Sequence, residues 1–280
     1  MPIEAVLAAL AAAFIHASWN AILRSGTGDR VLDAAGVALG WAIAGAAMIA
    51  YSGPPPLDVW PYLLASSLVH ASYIRVLAAA YGKGDLSHVY TVARGVPPVI
   101  IALGAFIWAQ EAPGAQTALG LVLICAGIFA VGFSPIAPAS ATLFALIVGV
   151  HVATYSLIDA FGARASQDAI AYTGAMIIGS AIALLALVAV ERGPSTIFNY
   201  WRTDLKTGLI AGAAGGIGYG LILWAQTVAP IAPIAALRET SIVFGALIGF
   251  FFLRESVGRR RWTGAAIVSL GAGLIALSSG

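Results

Sequence analysis

The sequence predicts an all-α membrane protein of ten transmembrane helices, built as two inverted five-helix repeats. Three observations carry this. Charged residues are scarce, apolar windows long enough to cross a bilayer recur from one end to the other, and the chain aligns with itself when displaced by 144 residues, which superposes Arg94 on Arg238. The first names the solvent, the second the elements and the third their arrangement.

Of the 280 residues, 60% are hydrophobic and 9% charged, against about 25% charged in an ordinary soluble domain. So few charges cannot dress a solvated surface, and a mean hydropathy of +0.94 with no long polar tract leaves no room for a separate soluble domain. The lipid bilayer is therefore the main solvent. The net charge is only +2, and no basic run with interleaved aromatics occurs, which excludes a nucleic-acid surface. The single cysteine, Cys125, rules out an intrachain disulfide and reads as a small packing residue.

A helix needs about 20 mostly apolar residues to cross a hydrocarbon layer ~30 Å thick. Ten windows qualify: Ile3–Leu23, Leu32–Tyr51, Trp60–Tyr81, Leu86–Ala109, Ala115–Phe133, Ala141–Phe161, Ala169–Val190, Leu205–Gln226, Ile231–Leu253 and Trp262–Leu277. The first is longer than a signal-peptide core, lacks a basic leader and holds His16 and Asn20, so it is expected to remain as a helix.

The displacement of 144 also superposes Glu111 on Glu255, Gly120 on Gly264 and Gly127 on Gly271 without a gap. The first helices align at 135, His16 with His151, and a longer connection from Glu191 to Lys206 accounts for the difference. The repeats are thus 1–134 and 141–280. Five helices per unit make the second unit enter from the opposite face, which inverts it. Ten Arg and Lys residues flank the odd-numbered connections, while Arg164 alone flanks the even-numbered ones. By the positive-inside rule the odd connections are expected in the cytoplasm and both termini outside, in a bacterial-type cytoplasmic (inner) membrane.

Glycines predict where helices touch. Gly208, Gly212, Gly216 and Gly220 share one face of the eighth segment, and Gly36 with Gly40 and Gly245 with Gly249 repeat the spacing. Tight packing is the first reading of these faces; a surface on which a moving half slides is the second.

Polar residues inside the apolar windows carry the functional signal. His16, His70, His88, His151, Asn20, Arg75, Arg94, Asp159, Arg238 and Glu239 all lie at membrane depth. An ionisable group there costs roughly 3 kcal/mol on insertion scales and almost always faces protein or water. Helical spacing groups them. His16 and Asn20, with Trp19 beside them, face one way on the first helix; His151 and Tyr155 match them on the sixth. His70 and Tyr73 line a stripe of the third, Tyr90, Arg94 and Pro97 one of the fourth, and Arg238, Ser241 and Gly245 one of the ninth. These five helices are expected to enclose one cavity. The competing reading for each histidine is a hydrogen-bonded clasp between helices. Arg75, rotated away from His70, is read as pairing locally or snorkelling.

Arg238 and Glu239 are adjacent, and neighbours on a continuous helix point about 100° apart, so a mutual ion pair is expected to be poor. Glu239 is left to pair with another helix or to exchange a proton. Glu111 and Glu255 stand where a helix ends and are expected to orient the following turn, while Asp159, near the end of its window, is read as either interfacial or a counter-charge. Pro97 and Pro98 inside the fourth segment and Pro230 and Pro233 in the ninth remove backbone donors and loosen those helices, as a kink or a gate.

With their Glu111 and Glu255 turns and Gly120 and Gly264, the two halves resemble the paired EamA domains of the drug/metabolite transporter superfamily, over essentially the whole chain. The segments His16-Ala17-Ser18-Trp19-Asn20 and Ala236-Leu237-Arg238-Glu239-Thr240-Ser241 are similar to a narrower EamA subgroup associated with phosphonate use. The resemblance implies inverted five-helix halves around a central cavity, and members that move amino acids, other metabolites or drugs, many as exporters coupled to ion gradients. Its motif is loose, so the substrate does not transfer with the fold.

The expected function is secondary transport of a small anionic or zwitterionic metabolite by alternating access. Arg94 and Arg238 attract the solute, since guanidinium groups suit carboxylates and phosphonates. His16, Trp19, Asn20, His70, Tyr73, Tyr90, His151, Tyr155 and Ser241 orient it, and Glu239 or a histidine exchanges protons. No Walker-type glycine loop points to ATP. No cofactor or metal is expected, since no close ligand spacing such as His-Glu-x-x-His occurs. The partners expected are a small solute, lipid and, for a homodimer rather than a monomer, a second copy. An intramembrane histidine- or metal-dependent enzyme and a non-transporting receptor are the alternatives.

Overall fold

The computed structural model describes residues 1–25, 30–133, 136–252, 254 and 258–278. These form twelve α-helices and one 3₁₀ turn, Leu57–Val59. In order they are α1 (Ile3–Ser25), α2 (Arg30–Ser52), α3 (Trp60–Tyr81), α4 (Leu86–Gly95), α5 (Pro97–Ala109), α6 (Ala115–Gly132), α7 (Ala139–Ser166), α8 (Ala169–Arg192), α9 (Pro194–Val228), α10 (Ile231–Arg238), α11 (Ser241–Phe251) and α12 (Arg259–Leu277). Among the described residues, nine stretches are long and apolar enough to cross a membrane. Two of these join a pair of α-helices: Ser87–Ala109 covers α4 from its second residue together with α5, and Ile231–Phe251 covers α10 and α11. The tenth window is helical too, as α12, but three arginines at its start shorten its apolar part. The molecule is thus an all-α membrane protein. Large apolar side chains left exposed, such as Leu7, Leu68, Leu103, Phe106 and Val122, suit lipid rather than water.

Two boundaries differ from expectation. The segment expected to end at Phe161 continues as α7 to Ser166, capped by Gln167 in the left-handed conformation. The connection expected between Glu191 and Lys206 is largely helix, because Pro194 opens α9 at its first turn, where a missing N–H costs nothing. Its early residues Ile197 and Trp201 pack against Ala35, Ala38 and Val188 of α2 and α8. With 35 residues, α9 is about 52 Å long, well beyond the hydrocarbon thickness.

Backbone approach at glycines sets the helix pairs. A Cβ added to Gly36 would lie 3.0 Å from the Cα of Gly208, and one on Gly40 2.9 Å from that of Gly212, so α2 and α9 run parallel in tight contact. α6 and α12 run antiparallel: a Cβ on Gly120 would lie 2.7 Å from the Gly271 carbonyl, and one on Gly264 2.6 Å from that of Gly127. Gly245 departs from expectation, with nothing within 4 Å of an added Cβ. The two ends of the described chain meet, the Met1 amino group donating to the Ser278 carbonyl at 3.3 Å.

Two spans are broken in mid-course. Val96 separates α4 from α5, where Pro97 and Pro98 bring no backbone donors. Between α10 and α11 there is no such residue. There Glu239 and Thr240 form a tight turn, their amides reaching Ala236 O at 2.9 Å and Leu237 O at 3.1 Å, and the Thr240 hydroxyl takes the same Leu237 carbonyl at 2.7 Å.

Candidate functional site

Both breaks carry an arginine. Arg94 is the penultimate residue of α4 and Arg238 the last of α10. The two breaks bring them to one central cavity of about 230 Å³, lined also by His16, Trp19, His70, Tyr73 and Tyr155. That volume holds several waters or a small metabolite. Seven of the residues singled out by spacing thus share one hollow.

Glu239 lies between the arginines. Its Oε2 is 3.5 Å from Arg94 Nε and its Oε1 3.5 Å from Arg238 Nη2, with the Glu239 side chain 1% exposed. The contact to Arg94 is the expected pairing with another helix. The contact to Arg238 corrects the sequence argument, because the 100° separation holds only on a continuous helix and this one stops between the two residues. Arg94 also donates from Nη2 to Ser241 Oγ at 3.1 Å and to His16 Nε2 at 2.8 Å, and from Nε to Tyr90 Oη at 3.3 Å. A guanidinium only donates, so His16 Nε2 accepts. Arg238 Nε and Glu239 Oε2 have no hydrogen-bond partner among the described residues. Two guanidiniums against one carboxylate leave one positive charge at the cavity wall.

A second part of the wall, with His70, Tyr155 and Tyr219, is backed by Asp159, which is fully buried. Its Oδ1 accepts from Tyr172 Oη at 3.0 Å and its Oδ2 from Tyr219 Oη at 2.8 Å, with the Ser66 hydroxyl adjoining it. His70 Nδ1 lies 3.0 Å from the Ser66 carbonyl, to which it donates, and 3.2 Å from Ser66 Oγ. The His70 ring stacks on Tyr155 at 4.1 Å. Gly162, one turn beyond Asp159, makes the Tyr172 contact possible, since a Cβ there would enter the Tyr172 ring.

Other expected residues stand outside the cavity. Asn20 is exposed and donates to the His16 carbonyl at 2.7 Å. His151 donates from Nδ1 to Ile147 O at 2.8 Å on its own helix. Tyr90 and Ser241 reach the site through Arg94. His88, 1% exposed, bonds Thr142 Oγ1 at 2.9 Å and so ties α4 to α7. Arg75 is exposed on α3. The cavity also draws on Gly216 of the glycine face and on residues that spacing did not single out: Trp41, Ser180, Gly215, Gly218 and Tyr219. The polar Tyr219 within a glycine-rich helix was the available signal. Glu255 lies outside the described residues.

The two ends of the cavity differ. Beyond Trp19 and Trp41, which line both spaces, a second hollow of about 230 Å³ continues past Leu23, Asp33 and Leu184. At the other end Glu111 does more than orient its own turn. Its Oε1 is 2.7 Å from Arg164 Nη1 and its Oε2 accepts from the Ile231 amide at 2.7 Å. Arg164 also donates to the carbonyls of Gln226 at 2.7 Å and Ala229 at 2.9 Å, tying the ends of α5, α7, α9 and α10 together.

Helices that span a bilayer, two of them broken beside paired arginines in a shared polar hollow, define a polytopic membrane protein of transporter type. Residues 139–277 match the model of the EamA-like transporter family, and the chain belongs to that family of membrane transporters. No curated protein matches it. One solved crystal structure is similar over 96% of this chain and 95% of its own, with a TM-score of 0.74 at 18% sequence identity. At that identity the likeness shows a shared fold.

Proposed function

We propose that this chain carries a small anionic or zwitterionic metabolite across a bacterial-type cytoplasmic membrane by alternating access, as an exporter coupled to an ion or proton gradient. The observation that carries this reading is the pair Arg94 and Arg238, each at a helix break, sharing one cavity with a single carboxylate between them. A solute carboxylate or phosphonate takes the excess charge. His16, Trp19, His70, Tyr73 and Tyr155 line the space around it, Tyr90 and Ser241 hold Arg94, and Asn20 and His151 steady the helices that carry His16 and Tyr155. Glu239 is the internal anion that the solute displaces from the guanidiniums. The Glu111–Arg164 cluster supports closure at the even-numbered end, while the second hollow beyond Trp19 and Trp41 supports access from the odd-numbered end. The family supports a carrier over an intramembrane enzyme.

The reading includes ten spans in two inverted repeats, 1–134 and 141–280. Contact between Met1 and Ser278 supports an even number of crossings, since an odd number would part the two ends by a membrane thickness. The glycine contacts of α6 with α12 support the inversion: exchanging Gly120 with Gly264 and Gly127 with Gly271 turns one contact pair into the other. Counterflow in proteoliposomes loaded with carboxylates, amino acids and phosphonates tests the function. Saturable exchange of at least one of them is expected, and specific binding without flux would make the protein a receptor.

A further inference from the structure

Asp159 presents a problem that the anion site does not explain. It is a fully buried carboxylate at membrane depth, and no described Lys or Arg forms an ion pair with it. Its partners are hydroxyls: Tyr172 at 3.0 Å, Tyr219 at 2.8 Å and the adjoining Ser66. A charge held only by neutral donors lacks the counter-ion that normally retains one in an apolar interior, so gaining a proton costs it no ion pair. The solute does not touch it, because Asp159 is absent from the cavity wall while two of its neighbours, Tyr219 and His70, form part of that wall.

We infer that Asp159 is the carboxylate that binds the coupled proton, delivered from the cavity through the hydroxyl of Tyr219 or through His70 and Ser66. The inference rests on the carrier reading and deepens it by naming the coupling site. The Tyr219 branch is direct, with Tyr219 Oη 2.8 Å from Oδ2; on the other branch His70 Nδ1 is 3.2 Å from Ser66 Oγ. The proton ends on a carboxylate oxygen, giving a neutral acid. A proton taken on the Oδ2 lone pair that faces Tyr219 makes that oxygen the donor there, so the tyrosine hydroxyl must turn to accept, and it lies on the wall that the solute touches. Proton binding thereby changes the hydrogen bonds offered to the solute with no contact between the two. The titratable groups that face Asp159 are His70 from α3, Tyr155 from its own helix, Tyr172 from α8 and Tyr219 from α9. Arg94 and Arg238 act on Tyr155 from the cavity side, and α5 brings no ionisable group. Glu239 differs because leaving its arginines costs it two ion-pair contacts.

Infrared difference spectra of the purified full chain, recorded as pH is lowered without solute, read the acid directly. The 12 Asp and Glu residues all add carbonyl absorption as they gain protons, and one component of that absorption is expected to be present in the wild type and in Glu239→Gln and missing in Asp159→Asn. Should Asp159→Asn fail to fold, Asp159→Glu assigns that component instead, by moving its frequency. A component unchanged in Asp159→Asn or Asp159→Glu, or no such component in folded wild type, overturns the inference whatever the transport result. In proteoliposomes Asp159→Asn is expected to keep solute exchange while losing its response to a pH gradient; a response equal to wild type also overturns it. Wild type that shows the component but exchanges no solute leaves the proton site standing and removes the carrier reading.

Discussion

The two walls of the central cavity solve the same problem in opposite ways. At the arginine wall, charges are kept at membrane depth by one another: Glu239 lies 3.5 Å from each of two guanidiniums. At the aspartate wall a single charge is kept by neutral hydroxyls from two other helices, Tyr172 at 3.0 Å and Tyr219 at 2.8 Å. An ion-paired cluster exchanges one anion for another at little cost, whereas a hydroxyl-bound carboxylate suits a proton. The difference teaches that anion recognition and proton uptake can sit in one hollow without competing for one residue.

Breaking the arginine wall is expected to have the largest effect. Arg238→Ala leaves Glu239 with Arg94, a neutral pair, so the fold survives while the excess positive charge is lost. Affinity for an anionic solute, measured by thermal shift in detergent, is expected to fall at least about 30-fold, equivalent to ~2 kcal/mol, as when one partner of a buried charge pair is truncated. The aspartate wall is sharpened by Gly162→Ala, which forces a Cβ into the Tyr172 ring. Overpacking of that kind costs about 1–3 kcal/mol, read as a lower melting temperature, and affinity for the solute anion is expected to hold within about threefold.

Much of this was legible in the sequence. The apolar windows follow from bilayer thickness, and the displacement by 144 residues pairs Arg94 with Arg238 at what prove to be the two helix breaks. The break after Arg94 was signalled by Pro97 and Pro98. The break after Arg238 was not, because a turn made by Glu239 and Thr240 uses no residue that marks one. Asp159 was misjudged through its window: with the helix expected to end at Phe161 it stood at an edge, whereas α7 continues to Ser166 and keeps it inside. Tyr219 and Trp41 were missed because the period of a helix says which residues share a face and not which neighbour that face meets. His151 stands on the face spacing gave it, yet its ring bonds its own backbone.

Smaller effects separate the ends of the cavity from its walls. Glu111→Gln removes the partly exposed ion pair with Arg164, which keeps its two carbonyl acceptors. A loss of about 1 kcal/mol in thermal unfolding is expected, together with easier access to the cavity from the even-numbered end, read by thiol labelling of a cysteine placed at Ser180 on the cavity wall in a Cys125→Ala background. His151→Ala is expected to be the mildest change, with solute affinity within about twofold of wild type, because its ring bond stays within α7.

The central claim is that two arginines at two helix breaks hold one solute anion. Exchange of a small carboxylate or phosphonate in proteoliposomes, compared between wild type and the Arg94→Gln, Arg238→Gln double variant after both are shown to be folded, tests it most directly. Saturable exchange in the wild type and its loss in the double variant is the expected result. Exchange of the same anion by the double variant at the wild-type rate and affinity would contradict the account.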